Sequence, residues 1–109
     1  MTTLLALFRR PDGGPDALAE LERRYAGEHL PLIAGTTGLR ETLVQRVATA
    51  LGAETDLVLI TAMRFDDRAA LDTGLASDAM RAAGRNLREI APGLATLLVL
   101  EDAEDLVAG

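Results

Sequence analysis

Two segments of this chain, Thr3 to Arg9 and Leu57 to Phe65, are apolar at both odd and even positions. A strand sends alternate side chains to opposite faces, so a strand with one wet face reads as apolar–polar alternation. These two do not, and they predict strands of a sheet covered on both sides. In a chain of 109 residues, long enough for one core and too short for two, that cover must come from a few helices or from another molecule.

The intervening segments supply the helices. Pro11-Asp12-Gly13-Gly14 is turn chemistry, and Pro15 sits at a first helical position, with Asp16, Glu20 and Glu22 toward the positive end of the dipole. Leu18, Leu21, Tyr25 and Leu32 then fall on a narrow stripe at about 100° per residue, and His29 lies inside it. Gly35 to Gly38 ends that helix. Leu39 to Ala48 fits a helical spacing through Leu39, Leu43, Val47 and Leu51, but its β-branched content and flanking glycines favour a strand. Asp66-Asp67 caps a short helix ending near Gly74, and Ser77-Asp78 caps a longer one. In the longer helix Met80, Ala83, Leu87, Ile90 and Ala91 form the buried face, while Arg81, Arg85 and Arg88 point outward. Pro92-Gly93 stops it, and Leu94 to Glu101 is the last strand.

The order strand, helix, strand, strand, helix, strand predicts a split βαβ arrangement: an α+β domain over residues 1–101, with a four-stranded antiparallel sheet and helices on one face. Residues 102–109 form an acidic tail, expected to be extended. Because the strands are apolar on both sides, the helix-free face is expected to meet a second copy, giving a homodimer through the sheet face.

Composition excludes several classes of function. The net charge is −6, no arginine cluster could follow a phosphate backbone, and only Phe8, Tyr25 and Phe65 could stack on bases. Nucleic acid is not an expected partner. There is no cysteine, so thiolate metal sites, disulfides and cysteine nucleophiles are absent. No run approaches the length of a membrane span, and Met1 to Arg10 places its apolar run before its positive charges, the reverse of a signal peptide. The expectation is a cytoplasmic protein with no membrane partner. All eleven basic residues are arginine and alanine is abundant, a composition expected of a GC-rich bacterium.

His29 is the single histidine, a titratable ring on an apolar helix stripe. Pro31, two residues on, cannot donate to the Gly27 carbonyl and is expected to kink the helix beside the imidazole. Tyr25, one turn earlier, makes a sensible partner for polarising a carbonyl or a phenol. A packing or capping histidine bonded to a backbone carbonyl is the alternative. Glu28 could orient His29 but points about 100° away from it on a regular helix, as a surface residue would. Arg64, on an apolar strand, calls for a carboxylate such as Glu41 or for an anionic ligand. Asp66-Asp67 reads as capping rather than as a metal-binding pair, and no metal site is expected. Glycine-rich phosphate loops, GxSxG and HExxH are all absent.

Arg10-Pro11-Asp12 after the first strand, Tyr25 and Glu28-His29-Leu30-Pro31-Leu32 on the helix, Gly38-Leu39 before the next strand and Ala91-Pro92-Gly93-Leu94 near the end together resemble the EthD family. The resemblance runs from about Leu4 to Glu101. It implies the ferredoxin-like fold of the dimeric α/β barrel superfamily, which includes antibiotic-biosynthesis monooxygenases, aromatic polyketide cyclases and muconolactone isomerases, with a cleft between helices and sheet. It makes His29 the general acid/base or ligand-orienting group and Tyr25, Phe8, Met63 and Phe65 candidate pocket walls; Arg64, from its place on an apolar strand, is a further ligand-binding candidate. Haem-binding relatives have longer chains and a different histidine context, so no cofactor is expected. The implied function is a cofactor-independent oxidoreductase or an isomerase/cyclase acting on a small hydrophobic carbonyl or phenolic metabolite. The alternatives are a non-catalytic, accessory or stress-related binder of such a metabolite, and a domain whose pocket is filled by its own side chains.

Overall fold

The computed structural model describes residues 1–108. The elements run β1 (Thr2–Arg9), α1 (Gly14–Arg24), a π-helical turn (Tyr25–His29), α2 (Leu30–Ala34), β2 (Glu41–Arg46), β3 (Leu57–Phe65), α3 (Arg68–Leu75), α4 (Asp78–Ile90), β4 (Ala95–Glu101) and α5 (Glu104–Ala108). The four strands form one antiparallel sheet in the order β2-β3-β1-β4. This is the expected ferredoxin-like βαββαβ topology, in which each strand–helix–strand unit is split by a strand of the other.

Strand register fixes what each face presents. In β1, Leu4 lies opposite Met63 and Val99, Ala6 opposite Thr61 and Leu97, and Phe8 opposite Leu59 and Ala95. This parity faces the helices: Leu4, Ala6, Phe8, Leu59, Met63 and Phe65 join Leu21, Tyr25, Ile33, Leu71 and Ala83 in one buried core. The other parity carries Leu5, Leu7, Leu43, Ile60, Ala62, Leu98 and Leu100, with no helix over it. Leu43, Leu98 and Leu100 are accordingly 48%, 41% and 41% exposed. The doubly apolar pattern is thus half satisfied within one chain.

The caps form where the sequence places them. Asp67 accepts from the Ala70 amide at 2.8 Å, and Ser77 accepts from the Met80 amide at 3.3 Å. Asp66 instead takes a bidentate ion pair from Arg40. The ambiguous segment becomes a six-residue strand, because Glu41 to Arg46 find partners along β3. Two expectations are corrected. The first long helix is divided by the π-helical turn, and the acidic tail is not extended, since Glu104–Ala108 is helical. Gly109, the last residue assigned to that tail, lies outside the described residues.

Gly74, near the end of α3, lets that helix sit directly on the sheet and the Thr36–Thr37 loop. A Cβ there would stand 2.8 Å from Phe65 Cε1 and 2.9 Å from the Thr37 carbonyl oxygen. Neither the fully buried ring nor the backbone can withdraw easily, so Gly74→Ala is expected to cost about 1–3 kcal/mol in urea unfolding. An unchanged midpoint and slope would show that this approach is looser than described.

Candidate functional site

The site begins with Pro31. In a regular α-helix its ring would press on the Gly27 carbonyl. The chain instead widens over Tyr25–His29, where the Leu30 amide reaches back five residues to the Tyr25 carbonyl, and Pro31 falls in the first turn of α2, where its missing amide is harmless. The kink expected from the sequence is therefore a local π-helical turn. It carries both Tyr25 and His29 inward, 2% and 5% exposed.

The two rings stack, with centroids 5.0 Å apart and planes 25° from parallel, and Phe8 meets the Tyr25 ring edge-on at 5.0 Å. The Tyr25 hydroxyl does not face the imidazole. It pairs with Thr61 Oγ1 at 2.6 Å, a fully buried hydroxyl on β3, and burial raises the phenol above its ordinary pKa more than this bond lowers it. The tyrosine is a neutral wall at ordinary pH.

His29 Nδ1 lies 3.1 Å from Asn86 Oδ1 on α4. Asn86 Nδ2 donates to Glu28 Oε1 at 3.0 Å, and Glu28 takes two further bonds from Arg24. Glu28 stays at the surface, its side chain 39% exposed, yet reaches His29 through an intermediary on another helix. Nε2 has no hydrogen bond among the described residues. Among the described residues the unpaired polar side-chain atoms sealed from water are Thr36 Oγ1 and Arg64 Nε. Burial lowers the imidazole pKa below 6.5 more strongly than the Asn86 bond raises it, and the ring is neutral at pH 7.

A cavity of about 40 Å³ opens between the sheet and α4, lined among others by Tyr25, His29, Met63, Met80, Gly84 and Leu97. Leu97 is 50% exposed and stands at its margin. A second pocket of about 150 Å³ lies toward β2, sharing the Tyr25 ring as a wall, and the Glu22–Arg46 ion pair contributes to its lining.

Of the residues expected at the site, His29, Tyr25 and Met63 come together around the cavity. Phe8 stands behind Tyr25, outside the lining. Phe65 lies beside Gly74, away from the cavity. Arg64 is corrected: strand alternation turns it away from Met63 and onto the helix-free face. There its register partners are Thr3 and Glu41, yet it makes no ion pair with Glu41 among the described residues. Sequence reading missed Asn86, Thr61 and Gly84. Each carried a faint signal: a poor helix former and a glycine inside α4, and a hydroxyl inside an apolar strand.

No protein-family model and no curated protein matches the chain. Among solved structures, an ethyl tert-butyl ether D (EthD) family protein from Bacillus halodurans superposes with a TM-score of 0.84 at 27% identity, covering 94% of this chain and 98% of its own. A dimeric protein of unknown function and ferredoxin-like fold from Bacteroides fragilis gives 0.67 at 17% identity over 93% and 95%. A candidate antibiotic biosynthesis monooxygenase from Deinococcus radiodurans gives 0.64 at 14% over 94% and 93%. The latter two likenesses concern the fold.

The depressed imidazole pKa has a definite sign in stability. The unfolded chain takes up a proton near pH 6.5 and the folded chain only at lower pH, so stability present at pH 7 is lost as pH falls through 6.5 toward the folded value. Urea unfolding at pH 7 and pH 5 is expected to show wild type losing more than His29→Gln. Equal losses would mean that the ring protonates as freely folded as unfolded.

Proposed function

For a chain of the EthD family, we propose a cofactor-independent enzyme acting on a small hydrophobic carbonyl or phenolic metabolite. His29 serves as its general acid/base, in a monooxygenase-like reaction with molecular oxygen or in an isomerisation or cyclisation. One observation carries this reading: a neutral imidazole, anchored at one nitrogen and unbonded at the other, on the wall of an apolar cavity. Such a ring can accept an acidic proton from a phenol or from carbon beside a carbonyl, and the dry surroundings strengthen its interaction with the developing anion. Tyr25 and Met63 act as walls that set the substrate's plane.

The cavity holds about one water molecule, whereas ligand pockets usually span roughly 300–1,000 Å³. Met63 and Met80 have the flexible side chains to enlarge it, and Leu97 lies at an open margin. The small volume also favours a second reading, in which the pocket is closed by its own side chains and the protein is an accessory, non-catalytic one. Native mass spectrometry for a co-purifying aromatic or polyketide-like molecule, followed by turnover assays on that class, separates the two. Under the enzymatic reading His29→Ala loses at least a hundredfold in turnover with its fold retained; full activity in that variant would remove His29 from the mechanism.

Gly84 sharpens the test. In the interior of α4 it costs helix stability relative to alanine, and an added Cβ would meet nothing closer than Arg88 Nη1 at 3.9 Å. Gly84→Ala is expected to raise stability by about 0.5–1 kcal/mol while narrowing the cavity and weakening ligand binding. A stabilised variant that binds as tightly as wild type would place the ligand elsewhere.

The exposed leucines of the helix-free face and the dimeric state given for the Bacteroides fragilis structure support a homodimer through that face. Leu98→Glu is expected to halve the native mass; a dimer that survives it would need another interface.

A further inference from the structure

We propose that Asn86 is a positioning residue that holds neutral His29 as the Nδ1–H tautomer, leaving Nε2 as the atom that takes the substrate's proton. The assignment follows from a chain of hydrogen bonds in which each partner has only one possible direction. It rests on the reading of His29 as an acid/base and specifies the atom.

The chain starts at Arg24, a guanidinium that can only donate, with Nε 2.8 Å from Glu28 Oε2 and Nη2 3.1 Å from Oε1. The Glu28 carboxylate, held ionised by that contact, can only accept. The Asn86 atom 3.0 Å from Oε1 must therefore be the amide nitrogen, which removes the usual ambiguity between the two ends of an asparagine amide. Its other end, the carbonyl oxygen 3.1 Å from Nδ1, can only accept, so Nδ1 carries the hydrogen. A neutral imidazole has one such hydrogen, and Nε2 is left with its lone pair.

The consequence for a proton transfer is direct. When Nε2 takes a proton, the ring becomes positively charged while the Nδ1–H bond to Asn86 stays in place and strengthens, and no side chain has to turn over. Asn86 itself need not touch the substrate. The arrangement resembles the orienting partner of a catalytic histidine in which a neutral amide, backed by a carboxylate, stands between the ring and the negative charge.

The chain has a single histidine, so the tautomer can be read without assignment ambiguity from two-bond nitrogen–proton correlations of the ¹⁵N-labelled full-length protein at pH 8. Wild type is expected to show a protonated Nδ1 and a bare Nε2 as its only form. In Glu28→Gln the new amide can donate to Asn86 Oδ1, which lets the Asn86 amide reverse and donate to Nδ1; the Nδ1–H form is expected to fall to a minor share. Asn86→Leu removes the acceptor and is expected to give a mixture. A wild-type ring protonated at Nε2, or a tautomer unchanged in both variants, overturns the assignment. Because this readout needs no ligand, it is independent of turnover. Full activity in His29→Ala would instead overturn the enzymatic reading while leaving the tautomer as measured.

Discussion

The constraint from which the rest follows is the two-residue period of the strands. It sorts every side chain of β1 and β3 onto one of two apolar faces, and one chain of this length has helices for only one of them. The face beneath α1, α2 and α4 becomes the core and contains the cavity. The other keeps its leucines in water until another surface covers them. A site between helices and sheet is therefore structurally separate from the surface proposed for pairing, and substitutions on the two faces act on different properties.

Within the covered face, the position of one proline decides how a histidine can be used. A regular helix would keep Tyr25 and His29 one turn apart on a surface built for packing. The widened turn required beside Pro31 brings both rings inward, one stacked on the other, and leaves Glu28 within reach of α4. Asn86 then connects the two helices at the height of the imidazole. A locally irregular backbone thus carries His29 and Glu28 to Asn86, while the regular elements around it supply Asn86 and Thr61 together with the apolar walls.

The fold was legible because its signals are local and agree with one another. Two doubly apolar runs gave β1 and β3, Asp67 and Ser77 marked the helix starts, and Pro92-Gly93 marked a stop. The segment after Gly38 was ambiguous because both periods fit it, and only its pairing along β3 decides the matter. The site was less legible. Asn86 lies 57 residues from His29 in sequence, and no periodicity connects them. Arg64 differs again: strand parity places it on the face opposite Met63, where it makes no ion pair with Glu41 among the described residues. The tail was misread because its acidic residues suggested solvation, although acidic side chains also suit the first turn of a short helix.

The chain has one tyrosine and no tryptophan. The same ring that walls the cavity, bonds to Thr61 and stacks on His29 is therefore the molecule's dominant intrinsic fluorophore, since the two phenylalanines emit only weakly and at shorter wavelength. Its emission reports on one place only, without the averaging that obscures such signals in most proteins of this size. Charging of the imidazole, displacement of the stacked pair by an incoming molecule, or loss of the Thr61 contact would each alter that emission directly, so the protein carries an optical indicator built into the wall of its own pocket.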